Sequence, residues 1–592
     1  GEAHPTEVYN EIRGKVVQLE LPRELEDISS TKIRENIDTH RDISSLIDPV
    51  VQEYIYHKGM YLREPEFKPI LRAKAIAFEN ASGRDHAVLD ELGNTVLYGH
   101  PDAQSILTRI QVENDRLLLL RNTVEGERPA GFVSYREIGN EDLFGVLKDM
   151  ELANLVRGKS SREILLITGI YAREENTGDS EMIRDAAQQL LVEVVAKELE
   201  KNYSFALFVA ERGTAAKHVV YALERQGFVR PHLADENDKR TIYLVDMHEP
   251  LMFLHNLETT IKEPFASNPA VLRAIEKNHK KLQIAMTKLY PGNLVLSLSS
   301  GVMHHRLVDR ITSLNDVPRE PLVPRRLGKN MCVPFGKILR GKVVPNTVTK
   351  TLHTDKVYEP DLESYTIEPF PYYSPLNSQI ETIRSFDRPV ILVDDLVHKA
   401  DRLRVLVPKL RETGIPIKKV VVGVLSGYGR DLMQQLKVPV ESIYSMPNVR
   451  QWFVESTLYP FIGGDTVRRE EMKVAGLQPS INMILPYATP KLSGCSREAL
   501  VEFSACCIEN SRDLLQVLEA EYRKQYAKNL TLSRLSEARN LTLSRLSEAV
   551  ILPLCPDKGS CMEYDENLAA SVYLENDLEM LQRMRKFMVT IQ

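Results

Sequence analysis

The sequence predicts an α/β protein of several units, and three observations carry that expectation. Between residues 290 and 430, short apolar runs alternate with amphipathic stretches, the order that builds a parallel sheet with right-handed crossovers. Between 116 and 228, strand-like runs give way to helix, strand and helix, as in a mixed sheet. From 497 the chain reads as helix, with Arg497–Tyr526 a sustained amphipathic pattern. A length of 592 residues exceeds what one core supports and suggests roughly four units.

Composition narrows the function classes. Hydrophobic content of 43% and charged content of 27% are ordinary for globular proteins. A net charge of −6 gives no electrostatic case for a nucleic-acid partner or a membrane surface. No run of 18 apolar residues predicts a membrane span, and Gly1-Glu-Ala-His-Pro-Thr6 does not read as a signal peptide. The six cysteines (Cys332, Cys495, Cys506, Cys507, Cys555 and Cys561) form no CxxC pair. Neither a disulfide framework nor a structural zinc site is expected, and the expected compartment is the cytoplasm.

Residues 1–65 read as a short α/β tail, with a strand at Val16–Glu20, a helix opening after Asp27 and a second helix over Ile47–Tyr61. Ile28-Ser29-Ser30-Thr31-Lys32-Ile33-Arg34 resembles the I-S-S-T-x-I-R motif at the carboxyl-terminal end of the nucleotidylyltransferase superfamily. The resemblance implies that Ser29, Ser30 and Thr31 hold a triphosphate at a helix N-terminus, a setting that suits an anion. The partner motif H-x-G-H is absent. The nucleotidylyltransferase half that should carry it is therefore expected upstream, in a longer parent chain.

Residues 66–250 form the second expected unit. Arg116–Asn122 and Ala130–Arg136 read as paired strands, followed by a strand over Glu163–Ile170, a helix over Ser180–Lys201, a strand over Phe205–Ala210 and a helix over Thr214–Gln226. This order, closed by Arg225-Gln-Gly-Phe-Val229, resembles the GNAT acyltransferase fold. The family's pyrophosphate loop corresponds to Arg173-Glu-Glu-Asn176-Thr-Gly178, so the resemblance implies acetyl-CoA binding through Arg173, Asn176 and Gly178. Asn176 tolerates a left-handed backbone, whereas Glu174 and Glu175 would repel a pyrophosphate. Leu223 stands at the position of the family's general-acid tyrosine, and Tyr221 lies on another face of the helix.

Residues 258–480 form the third unit, with strand Asn293–Leu298 running into Ser299-Ser300-Gly301 and a helix through Leu307. A polar stretch from Pro318 to Pro375 precedes an apolar run, Pro389–Val393, that ends in Asp394-Asp395 and enters a polar turn. Helix Lys399–Glu412, strand Lys419–Leu425 and turn Ser426–Gly429 follow. Paired carboxylates at the carboxyl end of a buried strand mark a ligand site at a sheet edge. The stretch resembles the PRPP motif of type I phosphoribosyltransferases.

That resemblance implies that Asp394 and Asp395 hold ribose hydroxyls, that Ser299, Ser300 and Gly301 form a pyrophosphate loop, and that Lys350, His353 and Lys356 lie in a mobile loop over the leaving pyrophosphate. Mg²⁺ would bind mainly through PRPP. The sequence departs from the family at the 5′-phosphate cradle, which becomes His398-Lys399-Ala-Asp-Arg402. Lys399 and Arg402 attract phosphate but are bulky, and Asp401 repels it. The bland alternative is a buried strand with an acidic cap before a basic surface helix.

Weaker signals complete the chain. His304-His305 has no ligand cluster near it in sequence, so no metal site is expected there. Tyr459–Asp465 has the chemistry of a lid loop, and Trp452 reads as core. Residues 497–592 form a helical region in which Asn529–Arg539 is repeated from Asn540, all but its last residue, and reads as a lengthened helix. The expected function is a transferase of nucleotide or cofactor metabolism with a PRPP–Mg²⁺ site, small-molecule phosphoribosyl substrates and an accessory acyl-CoA unit. Its rivals are a non-catalytic sensor or scaffold built from degenerate transferase domains, and an N-acetyltransferase.

Overall fold

A computed structural model describes residues 76–122, 128–160, 162–172, 185–211, 216–232, 240–261, 264–319, 327–339, 342–369, 374–468, 478–532, 534, 551–553, 565 and 567–590, with isolated positions 30, 33, 47 and 51. The expected tail strand and the bodies of both tail helices lie outside the described residues. Of the triphosphate motif only Ser30 and Ile33 are described, both helical, with Ser30 exposed. No described helix is long and apolar enough to cross a membrane.

The chain is an α/β protein, with three sheets among the described residues and a helical C-terminal region. Its first described elements are β1 (Ile76–Ser82), α1 (His86–Asn94), α2 (Ala103–Val112), β2 (Arg116–Asn122), β3 (Arg128–Ile138), α3 (Leu143–Leu147), α4 (Met150–Lys159) and β4 (Ile164–Ala172). Next come α5 (Ala186–Glu198), β5 (Phe205–Glu211), α6 (Lys217–Arg225), β6 (Arg240–His255), α7 (Leu257–Thr260), α8 (Pro269–Thr287), β7 (Asn293–Ser299) and α9 (Ser300–Leu314). Strands β8 (Met331–Pro334), β9 (Thr354–Tyr358) and β10 (Tyr365–Pro369) precede α10 (Leu376–Arg384), β11 (Val390–Val397), α11 (Asp401–Glu412), β12 (Ile417–Ser426), α12 (Gly427–Gln435), β13 (Val440–Met446) and β14 (Gln451–Val454). Short strands β15 (Asp465–Val467), β16 (Gln478–Ile481) and β17 (Ile551–Pro553), with helices α13 (Arg497–Tyr526) and α14 (Ala570–Thr590), complete the chain.

The mixed sheet has eight strands in the order β1-β2-β3-β4-β5-β6-β14, with β7 on β6. Parallel β4 and β5 pair only at Leu165–Ile167 with Ala206–Phe208, and their remaining lengths share no ladder. The parallel sheet is β13-β12-β11-β8, and the third sheet is β10-β9-β15-β16-β17.

Four features differ from expectation. The 16-residue strand β6 runs through the expected unit boundary, and its register shifts between Asp246 and Leu251, around Pro250. A proline cannot donate to a ladder, so the run reads as ending there. Beyond the shift, β6 pairs in parallel with β7 and β14, which places β7 in the mixed sheet and not beside Asp394. The polar stretch from 318 to 375 contains β8, β9 and β10, and the expected turn at Ser426–Gly429 opens α12, with the Ser426 hydroxyl accepting from the Gly429 amide at 3.0 Å. Helix α13 ends at Tyr526 because Ala527 is left-handed, at φ 53°, so it does not run on into the repeat, most of which lies outside the described residues.

Alternation across each strand divides the core. Met252, Leu254, Leu294, Leu296 and Leu298 share one apolar cluster with Leu190 and Val194 of α5, Met303 and Leu307 of α9, and Ile391, Val393, Val421 and Val424 of the parallel sheet. The mixed and parallel sheets therefore bury facing surfaces in one core. Leu251, Phe253 and Val295 point the other way, into a cluster with α8, α13 and α14. The far side of the parallel sheet packs Val390, Leu392, Val420 and Val422 against α11.

Candidate functional site: two sheet edges

The first edge is the carboxyl end of β11 and β8. Strand β11 is apolar and buried on both faces, as a central parallel strand must be, and it carries Asp394 and Asp395 to the end of the sheet at 8% and 6% exposure. The loop after β8 closes over them. Lys337 and Ile338 donate backbone N–H bonds to the two Asp395 oxygens at 2.7 and 2.8 Å, and Asp394 Oδ1 accepts from the Asp395 amide at 2.8 Å. Asp395 thus holds the loop, whereas Asp394 faces Arg402, whose guanidinium lies 3.7 Å away.

Further charges converge here. The Lys356 ammonium sits 3.6 Å from the Tyr365 ring centre and is lowered by burial, with Asp465 and Asp401 opposing and Lys399 and Arg402 adding to the shift. Asp465 is raised by burial, against the pull of Lys337 and Lys356. Tyr365 donates to Asp401 Oδ2 at 2.7 Å, which anchors the β9–β10 hairpin to the start of α11. The turn between β11 and α11 places Ala400 in a left-handed conformation, φ 53°, and leaves Lys399 exposed.

Several expected positions need correction. Ser299, Ser300 and Gly301 do not form a loop beside Asp394; they end β7 and open α9, where Ser299 Oγ caps the helix by accepting from the Val302 amide at 3.5 Å. Lys350 and His353 lie on no mobile loop. Residues 348–352 run along β8, with Cys332 N to Val348 O at 2.7 Å and Leu352 N to Pro334 O at 2.8 Å, and both side chains are buried. Tyr459, Phe461 and Ile462 belong to the core beside α13, so the expected lid contributes only Asp465 to the edge. Trp452 packs, half-buried, against the shared core. Arg173, Asn176, Gly178, Ser29 and Thr31 lie outside the described residues.

The second edge is the carboxyl end of β14, β6 and β7. Leu254 pairs with Val454, and His255 pairs with Ser299, so His255 and Ser299 end β6 and β7 while Glu455 directly follows the end of β14. Helix α8 lays His279 and Gln283, one turn apart, over this edge. A cavity of about 220 Å³ opens there, lined by Gln188, Glu193, Arg225, His255, His279 and Ser297 among others. His255 Nε2 lies 2.6 Å from Ser297 Oγ, which also accepts from Gln283 Nε2 at 2.6 Å. Glu455 Oε2 is 2.7 Å from His279 Nε2 and 3.8 Å from His255 Nδ1.

Burial and the neighbouring His279 push His255 down to about 4. Burial works against a charged His279, but the Glu455 carboxylate lifts it above the usual imidazole range. Burial would likewise raise Glu455, yet His279 and His255 hold it at about 2. Arg225, at the rim, is fixed by Asp185 through bonds of 3.0 and 2.8 Å.

Lys337 and Gly336 at the first edge, and His255, His279 and Glu455 at the second, escaped sequence reasoning, whereas Asp465 and Ser299 were singled out for other roles. Val333-Pro-Phe-Gly-Lys337 does carry a signal, a short apolar run ending in glycine and a cation. The second edge carries none, because its groups come from distant segments.

No protein-family model matches the chain, and no curated protein does. Among solved structures, it is similar to the NatC complex bound to Gag peptide and CoA, at 10% identity and TM-score 0.19 over 28% of this chain and 96% of that one. It is similar to a GNAT-family acetyltransferase from Bacillus cereus, at 11% identity and TM-score 0.18 over 29% of this chain and 96% of that one. It is also similar to a purine phosphoribosyltransferase from Pyrococcus horikoshii, at 12% identity and TM-score 0.17 over 26% of this chain and 87% of that one.

Proposed function

We propose that the chain is a transferase whose parallel-sheet edge binds a phosphoribosyl pyrophosphate with its Mg²⁺. The supporting observation is that Arg402 faces Asp394 at the carboxyl end of β11 and that Lys337, Lys356 and Arg402 gather about the neighbouring Asp465, so acidic and cationic groups share one edge. A carboxylate accepts from vicinal sugar hydroxyls, and ammonium and guanidinium groups take phosphate oxygens. In this reading Asp394 orients the ribose, and Asp395 keeps the β8 loop in place. Lys356, Lys337 and Arg402 stabilise the charge that grows on the departing pyrophosphate as C1 becomes oxocarbenium-like. Mg²⁺ is carried by the diphosphate. Lys399 lies exposed at the turn, within reach of a 5′-phosphate.

Calorimetry of the chain with PRPP–Mg²⁺ tests this. Saturable binding that weakens roughly 10- to 100-fold in Asp394→Asn supports it, the loss expected for one charge-assisted hydrogen bond. No binding by the unaltered chain contradicts it. Binding without pyrophosphate release in the presence of nucleobases identifies a sensor in place of a transferase.

A second reading, acyl transfer from acetyl-CoA, is favoured by the β4–β5 pair, whose ladder is three residues long, so that the carboxyl halves of the two strands are not bonded to each other. Against it, Leu223 is buried at the expected acid position and Tyr221 is exposed. Acetyl-CoA titration in the same calorimeter separates the two sites.

A further inference from the structure

We propose that His255, His279 and Glu455 form a binding site for a single divalent first-row metal ion, zinc by ligand class, with an open coordination position facing the cavity. The three groups offer two imidazole nitrogens and one carboxylate oxygen, all within 4.8 Å of one another. That donor set, two histidines and one glutamate, is one that leaves a fourth position for water in catalytic zinc sites.

Their placement comes from the strands. His255 and Glu455 follow the paired residues Leu254 and Val454, so parallel pairing sets them side by side, and α8 drops His279 between them. Glu455 is fully buried, whereas the two imidazoles keep 14% and 15% exposure on the cavity side. An ion among them would be reached from the cavity and closed off behind.

An ordinary buried ion pair accounts for less of this geometry. His279 Nε2 and Glu455 Oε2 lie 2.7 Å apart, which pairs two of the three groups and leaves His255 outside the pair. His255 Nδ1, 3.8 Å from the same carboxylate oxygen, has no aligned hydrogen-bond partner among the described residues.

The surrounding contacts match what a ligand sphere needs. Ser297 Oγ takes the far nitrogen of His255 and is itself held by Gln283, which turns Nδ1 toward the focus. The Tyr459 hydroxyl donates to Glu455 Oε1 at 3.3 Å, leaving Oε2 for the ion.

The test uses the full chain, stripped with a chelator and titrated with Zn²⁺ and Co²⁺. The expected result is one equivalent of Zn²⁺ per chain and, with Co²⁺, the intense visible bands of a four-coordinate ion. Glu455→Gln and His279→Gln should abolish stoichiometric binding, and Ser297→Ala should weaken it roughly tenfold or more. A control variant, His305→Gln, removes a histidine outside the cavity and should change nothing. Should the ligand variants fail to fold, the unaltered chain decides. A Zn²⁺-dependent rise in Tm with the Co²⁺ bands supports the site, and the lack of either overturns it. Binding that is unchanged in both ligand variants overturns it as well.

Discussion

A methyl group at position 336 would press into Asp394 Oδ1 and stand 2.7 Å from Asp395 Oδ1 and 2.8 Å from the Asp395 amide. Only glycine lets the β8 loop close on the acidic pair. Gly336→Ala is expected to cost roughly 1–3 kcal/mol and to remove PRPP binding together with Asp394 positioning. Urea unfolding measures the first and calorimetry the second. Another buried carboxyl sets a pH dependence. Burial pushes Asp577 up to about 6, although the Tyr487 hydroxyl donates to it at 2.5 Å. Between about pH 4 and 6 the folded chain keeps a proton that the unfolded chain releases, so this group's contribution falls as pH rises. Asp577→Asn should raise stability at pH 7 by up to about 3 kcal/mol and change little at pH 4. At this scale Asp394 and Asp395 were legible because two acids ending an apolar run have few structural explanations. Of their neighbours, Arg402, Lys356 and the stretch ending in Asp465 stood out in the sequence as well, whereas Lys337 did not, since it follows a strand of only four residues.

Among elements, those with a strong period stood out in the sequence. Helix α13 occupies Arg497–Tyr526, and β2 occupies Arg116–Asn122, as their patterns predict. Strand β8 is four residues long among prolines and glycines, too short to show alternation. Strand β6 hides behind its register shift, and that one omission assigned β7 to the wrong sheet. Gly227 shows how firmly β7 is placed. Its φ is 86°, a Cβ there would enter the Asn293 carbonyl, and the neighbouring Gln226 carbonyl accepts from Val295 N at 3.0 Å. Gly227→Ala combines left-handed strain with a backbone collision. It is expected to destabilise by roughly 1–3 kcal/mol in urea unfolding, with β7 amides losing hydrogen-exchange protection first.

Across the molecule, the sequence suggests units divided near residue 250, but the packing joins them. Glu193 of α5 accepts from Tyr444 of β13 at 2.9 Å and pairs with Arg306 of α9 at 2.7 Å, within the apolar core shared by both sheets. Residues 66–250 expressed alone would lose the β7 and β14 ladders and expose one side of that core. The fragment is expected to aggregate or to show the dispersion of an unfolded chain by NMR, whereas the whole chain should unfold its two sheets in one calorimetric transition. A fragment with a cooperative transition of its own would contradict the shared core. Joined sheets also put both candidate edges in one body, with α9 starting at the cavity and packing Met303 near Gly423 and the Asp395 carbonyl.

The edge beside Asp394 carries the proposed function, and titration of the chain with PRPP–Mg²⁺ by calorimetry tests it directly. One saturable site per chain, weakened roughly 10- to 100-fold by Asp394→Asn and made salt-sensitive by its cations, is the predicted result. Heat indistinguishable from dilution, or an affinity that ignores Asp394→Asn, would contradict it.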